Sequence, residues 1–82
     1  FESKLDIRGM TITDAHQVVQ DFLDRALLTS TNNLRIVHGK GSGTLRKVVH
    51  QFLRDHPLVS SYRMGEQGEG GTGVTVVKFV GS

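Results

Sequence analysis

The stretch LRIVHGKGSGTLRKVVHQFL, Leu34 to Leu53, decides the fold. Its opening, Leu34 to Val37, is a short run of branched apolar residues and reads as a strand. From Leu45 the apolar residues Leu45, Val48, Val49, Phe52 and Leu53 recur at steps of three and four, which lays one buried stripe along a helix. Between them His38-Gly39-Lys40-Gly41-Ser42-Gly43 carries the strand straight into a helix that starts near Ser42 to Thr44. Pro57 closes that helix, because the residue before a proline is pushed out of helical geometry.

Upstream, Lys4 to Arg8 (KLDIR) alternates apolar Leu5 and Ile7 with polar Asp6 and Arg8, the period of a half-buried strand, and Gly9 stops it. From Thr11 the period lengthens. Ala15, Val18, Val19, Phe22, Leu23, Ala26 and Leu27 form a helical stripe, with Thr11 and Asp14 spaced as a capping box. The turn formers Thr29 to Asn33 end it. Downstream, Leu58 to Met64 and Val74 to Val80 read as two further strands, joined by the glycine-rich segment Gly65 to Gly73.

The order is βαβαββ, an α/β two-layer sandwich: a mixed four-stranded sheet with both helices on one face. Strands one to two and two to three each connect through a helix, so their directions are parallel and the crossovers right-handed; the last two strands run antiparallel. The 82 residues make one domain, here 1–80, with Gly81 and Ser82 either native or appended. The chain opens on Phe1 and reads as a piece of something longer.

Ten Lys and Arg against eight Asp and Glu give a net charge of +2, so a basic site must be local rather than global. There is no cysteine for a disulfide or a cysteine zinc site. No apolar run is long enough to span a bilayer and no signal peptide is evident, so the expectation is a cytoplasmic protein without membrane contact.

A strand that ends in glycines and enters a helix aims backbone N–H groups and the positive end of the helix dipole at one point, where an anion binds. Gly39, Gly41 and Gly43 permit close approach of backbone to ligand, Lys40 adds charge, and Ser42 adds a hydroxyl. The competing explanation is a tight strand-to-helix turn and nothing more. Nucleotide motifs fail here: the lysine and serine are out of frame for a P-loop, and Thr44 stands where a dinucleotide fingerprint has its third glycine. A polynucleotide phosphate remains. Parallel strands bring Arg8-Gly9, His38-Gly39-Lys40 and Tyr62-Arg63-Met64 to one sheet edge, where Lys40, Arg46, Lys47 and Arg63 make a local basic patch.

Asp6 and Arg8, two apart on a strand, share a face. They form either an exposed ion pair of small weight or a phosphate-clamping, catalytic pair beside His38, with His38 as general acid or base and Arg8 stabilising charge on phosphorus. His50 and His56 have the wrong spacing for one metal ion. A loosely held Mg²⁺ or Mn²⁺, brought in by phosphate and Asp6, is the one cofactor expected; no built-in metal site is. Tyr62 belongs either to the core or under a stacked base. Val37 and alternating residues of Val74 to Val80 are candidates for an apolar interaction face.

With these residues in place, the chain resembles the Smr domain, the small MutS-related module found at the C-terminus of the second bacterial MutS paralogue. Leu5-Asp6-Ile7-Arg8-Gly9 matches its Leu-Asp-x-[Arg/His]-Gly motif and His38-Gly39-Lys40-Gly41 its His-Gly-x-Gly motif; Gly70-Gly71-Thr72-Gly73-Val74 is similar as well. The resemblance implies a fold like the C-terminal domain of translation initiation factor three and nicking endonuclease activity on DNA or RNA. It makes Asp6 and His38 the catalytic candidates and Gly39 to Gly41 the phosphate cradle. RNA-cleaving members carry histidine where this chain has Arg8, which exchanges no proton at neutral pH. The implied setting is a chain with MutS-like ATPase domains that suppresses recombination or rescues stalled ribosomes. The alternative is a non-catalytic module docking on DNA, RNA or the ribosome, and the isolated domain is expected to be monomeric.

Overall fold

The computed structural model describes residues 3–80, so Gly81 and Ser82 lie outside the described residues. The elements are β1 (Lys4–Asp6), α1 (Ile12–Leu28), β2 (Leu34–Val37), α2 (Thr44–Asp55), β3 (Val59–Met64) and β4 (Val74–Phe79), with two single 3₁₀ turns, Gln67–Glu69 and Gly71–Gly73, before β4. The expected order is the observed one. β2 keeps its expected bounds, while β1, β3 and β4 run one or two residues shorter than the sequence suggests.

Local chemistry sets the boundaries. The Thr11 hydroxyl accepts the Asp14 N–H at 3.1 Å and caps α1. At the far end the Thr29 N–H reaches back to the Arg25 carbonyl, and Ser30 and Asn33 take positive φ to turn the chain into β2. Gly43, at φ +83°, is the N-cap of α2 and offers no side-chain cap. His56, extended ahead of Pro57, ends that helix.

The sheet order is β1-β2-β4-β3, with β1 parallel to β2 and β4 antiparallel to both of its neighbours. β2 and β3 therefore share a direction without touching, because β4 lies between them. Composition explains the placement. β4 is buried at every position but Lys78, as a central strand must be, whereas β3 is polar and only partly covered, as suits an edge.

Both helices cover one face. Ala15, Val19, Phe22, Leu23 and Ala26 of α1 and Val49 and Leu53 of α2 close over Ile7, Leu34, Ile36, Val77 and Phe79. Each fully buried branched side chain contributes about 1.5–3 kcal/mol. The opposite face shows Lys4 and Asp6, Arg35 and Val37, Val74, Val76 and Lys78, and Arg63, following the strand registers. Its valines are no open patch: Val74 and Val76 are buried, and Gly70 of the glycine-rich loop lies directly on Val74.

Candidate functional site

β1, β2 and β3 all end at one edge, where β4 begins. The turn after β2 is fastened there by the loop before β4: the N–H groups of His38 and Gly39 both donate to the Gly73 carbonyl at 3.0 Å. A Cβ at Gly73 would crowd this approach, lying 3.2 Å from Lys40 Cγ and 3.4 Å from the Gly39 carbonyl carbon. The Gly39 amide is thereby spent inside the fold. Among the described residues no backbone carbonyl accepts from Lys40, Gly41, Ser42 or Gly43, so the amides free to meet an anion are these and the first turn of α2 beyond Thr44, whose N–H donates to Ser42 Oγ at 3.4 Å.

The turn is a seam between two groups of side chains. On the open face, Asp6 and Arg8 form a bidentate pair, with Nη2 to Oδ2 at 2.6 Å and Nε to Oδ1 at 3.0 Å, while the Arg8 N–H also donates to Oδ1. These bonds hold the Asp6 carboxyl down at about 2. The Arg8 stem lies against Gly39, and Lys40 extends over Gly71 and Gly73. Asp6, Arg8, Gly39, Lys40 and Gly73, together with Lys4, Arg35 and Glu69, line a polar hollow of about 510 Å³.

On the helix face sits His38, which continues the inward register of Leu34 and Ile36 and is 6% exposed. Its Nε2 is 2.8 Å from Thr75 Oγ1, and its Nδ1 is 3.1 Å from the Gly39 carbonyl oxygen. The same Thr75 oxygen lies 2.8 Å from His50 Nε2. The His50 ring in turn packs on Tyr62 at 5.1 Å between centroids. Burial, with the Arg46 charge nearby, lowers both imidazoles below their ordinary value, and for His50 the neighbouring His38 adds to the effect.

The sequence-predicted residues thus divide. Asp6, Arg8, His38, Gly39, Lys40, Gly41, Ser42, Gly43 and Arg46 gather at the edge, although Asp6 and His38 stand on opposite faces of the sheet. Lys47 lines a different surface, an apolar groove between the helices with Ile12, His16, Phe52 and Pro57. Arg63 is held by Glu69 at 2.7 and 3.0 Å and by the Met64 carbonyl at 3.2 Å. Tyr62 is half-buried against the core rather than presented to a base. Thr75 and His50 were not singled out for the site from sequence; their signals, a hydroxyl inside an apolar strand and a histidine on the inward phase of a helix, carry weight only once the register is known.

Among the described residues no three His, Asp or Glu side chains converge as a metal donor set. Asp6, the residue expected to gather Mg²⁺ or Mn²⁺, has both oxygens engaged by Arg8, Oδ1 by Nε and Oδ2 by Nη2. The residues present do not fit a resident cation. No helix among the described residues is long and apolar enough to cross a membrane.

A family model for the Smr domain matches residues 5–80. The chain is 52% identical over 78 residues to Endonuclease MutS2 of Clostridium botulinum (strain 657 / Type Ba4), covering 95% of this chain and 10% of that protein. It is 47% identical over 75 residues to Endonuclease MutS2 of Brevibacillus brevis, covering 92% and 10%. The chain therefore spans about a tenth of the length of the curated relatives it matches. The crystal structure of the Smr domain of Thermus thermophilus MutS2 superposes with a TM-score of 0.88 at 39% identity, covering 93% of this chain and 95% of that one. YdaL, a stand-alone small MutS-related protein from Escherichia coli, gives 0.90 at 24% identity, covering 94% and 63%, a likeness of fold alone.

Proposed function

This chain belongs to the Smr domain family, and from that premise we propose that it binds nucleic acid and nicks a phosphodiester at the edge where β1 and β2 end. The observation that carries the proposal is the convergence at that edge of Arg8, Lys40, the unengaged amides of the turn and His38. The amides and Lys40 hold the phosphate. Arg8, oriented by Asp6, faces the charge that grows on the non-bridging oxygens. His38, neutral at pH 7, is the group able to move a proton.

Asp6 has a narrower role in this reading than its position in the motif implies. A carboxylate whose lone pairs are occupied by a guanidinium, and which titrates near 2, is a weak base at neutral pH. It serves as the anchor of Arg8. A Mg²⁺ or Mn²⁺ ion would arrive with the substrate's phosphates.

The fixed Asp6–Arg8 pair also favours a second reading, a module that docks on DNA or RNA without cutting it. Nicking of supercoiled plasmid in Mg²⁺ or Mn²⁺, with wild type beside His38→Ala and Arg8→Ala, separates the two. Loss of nicking in both variants is expected; equal rates in all three leave docking as the function. The parent chain's ATPase, its place in recombination or ribosome rescue, and its compartment belong to the same proposal and rest on the relatives' likeness.

A further inference from the structure

A threonine hydroxyl carries one hydrogen, and Thr75 Oγ1 lies 2.8 Å from the Nε2 atoms of two histidines. With both rings neutral, the hydroxyl donates to one Nε2 and accepts from the other. Which way it points is decided one bond further on. His38 Nδ1 faces the Gly39 carbonyl oxygen at 3.1 Å, and a carbonyl only accepts, so Nδ1 bears the hydrogen and Nε2 is bare. The Thr75 hydroxyl must then donate to His38 and accept from His50, which carries its hydrogen on Nε2 and its lone pair on Nδ1. The chain runs, from donor to acceptor, His50 Nε2–H, Thr75 Oγ1–H, His38 Nε2, with His38 Nδ1–H turned to the glycine turn.

We propose that Thr75 and His50 form a proton wire that fixes His38 as its Nδ1–H tautomer and supplies it with protons from His50. This rests on the reading of His38 as the proton-moving residue. His50 is half-buried, and among the described residues nothing hydrogen-bonds its Nδ1, which must touch solvent because no buried side-chain nitrogen or oxygen is left unsatisfied. Its Nδ1 is therefore where a proton enters from water; burial, the neighbouring His38 ring and the Arg46 charge keep His50 neutral at rest, so its cation forms only in passing. When the leaving oxygen displaces the Gly39 carbonyl oxygen as the partner of His38 Nδ1–H and takes that hydrogen, the Thr75 hydroxyl hydrogen passes to His38 Nε2 and the His50 Nε2 hydrogen passes to Thr75. One N–H bond breaks at each ring. One forms at His38 Nε2 and one O–H forms on the leaving oxygen, so His38 ends neutral as the other tautomer and His50 ends neutral with its proton on Nδ1.

The wire also removes a difficulty. A neutral imidazole is a poor acid by itself, and His38, buried beside Arg46, resists becoming cationic. Receiving a proton at Nε2 as one leaves Nδ1 avoids the cation there. The charged and titratable groups around the two rings are Arg46 of α2 and Tyr62 of β3; β4 contributes the neutral Thr75. Thr75 and His50 are positioning residues that act through His38.

The test is long-range ¹H–¹⁵N NMR of the ¹⁵N-histidine-labelled 82-residue chain, which reads the protonated nitrogen of each ring. Expected at pH 7 are the Nδ1–H form for His38 and the Nε2–H form for His50, with protonation of His50 shifting the His38 nitrogens. Thr75→Val, close to isosteric in its buried site, should decouple the two titrations, and Thr75→Ser should restore the coupling. An Nε2–H form for both rings, or titrations in wild type as independent as in Thr75→Val, overturns the wire. Because no substrate is present, failure here is distinct from failure of the cleavage reading: coupled histidines without nicking remove the nuclease and leave the wire, and nicking with independent histidines does the reverse.

Discussion

Asp6 and His38, the two residues that the sequence motifs single out together, stand on opposite faces of the sheet, Asp6 paired with Arg8 on the open side and His38 buried under the helices. Adjacent parallel strands place Asp6 opposite Val37, one residue short of His38, and one residue along a strand is a change of face. Asp6 therefore acts through Arg8, and a double-mutant cycle reports it. Asp6→Asn and Arg8→Ala should each slow nicking, and the double variant should be no slower than Arg8→Ala alone; Asp6→Asn with His38→Ala should combine as independent effects. Full additivity between Asp6 and Arg8 would refute the anchoring role.

Lys40 carries its charge to the turn with no carboxylate partner among the described residues, whereas Arg63 is bound by Glu69. In oligonucleotide binding titrated with salt, Lys40→Ala should lower the log–log slope by about one. Arg63→Ala should change it by less than half as much. A larger effect at Arg63 would move the phosphate path to the β3 edge.

Stability should fall in two steps on acidification. His38 and His50 have folded pKa values depressed below the ordinary 6.5, so the unfolded chain binds more protons once pH drops through that value; stability is complete above it and declines until the folded rings also protonate. Asp6 and Glu69, held near 2 by Arg8 and Arg63, add a second loss between their ordinary values of 3.8 and 4.5 and about 2. Urea midpoints across pH check both. Thr75→Val should alter the first step and leave the second, and a first step missing from wild type would contradict the buried, neutral histidines.

Two glycines in the motifs should differ sharply when replaced. Gly70 has φ +108°, and a Cβ there would lie 2.5 Å from Val74 Cγ2, so Gly70→Ala is expected to cost roughly 1–3 kcal/mol in denaturant unfolding. Gly41 faces open space without a positive φ, and Gly41→Ala should stay within about 0.5 kcal/mol. A binding defect in Gly41→Ala at unchanged stability would mark its open space as where the ligand lies.

The fold was legible because each element announces itself locally: the three-and-four spacing of Val19, Phe22, Leu23 and Ala26, the Thr11 cap, the proline after His56. The insertion of β4 between β2 and β3 was not, since strand order depends on which strand is apolar enough to be buried on both faces; Val74 to Phe79 held that signal against the polar β3. The site was half legible. Motif spacing found Arg8, His38 and Lys40, but the face each one occupies depends on register. The hydroxyl of Thr75 gains meaning only between two histidines that lie 37 and 25 residues away. Strand direction placed Arg63, and position near the start of the second helix placed Lys47, in the basic patch; their surroundings, a carboxylate and an apolar groove, are tertiary facts.

The most direct measurement is the initial rate of plasmid nicking at pH 7 for wild type and His38→Ala purified side by side. Loss of a proton-transferring side chain is expected to slow nicking by about 10²–10⁴-fold while oligonucleotide affinity is largely kept. Equal rates in the two proteins would contradict cleavage at His38.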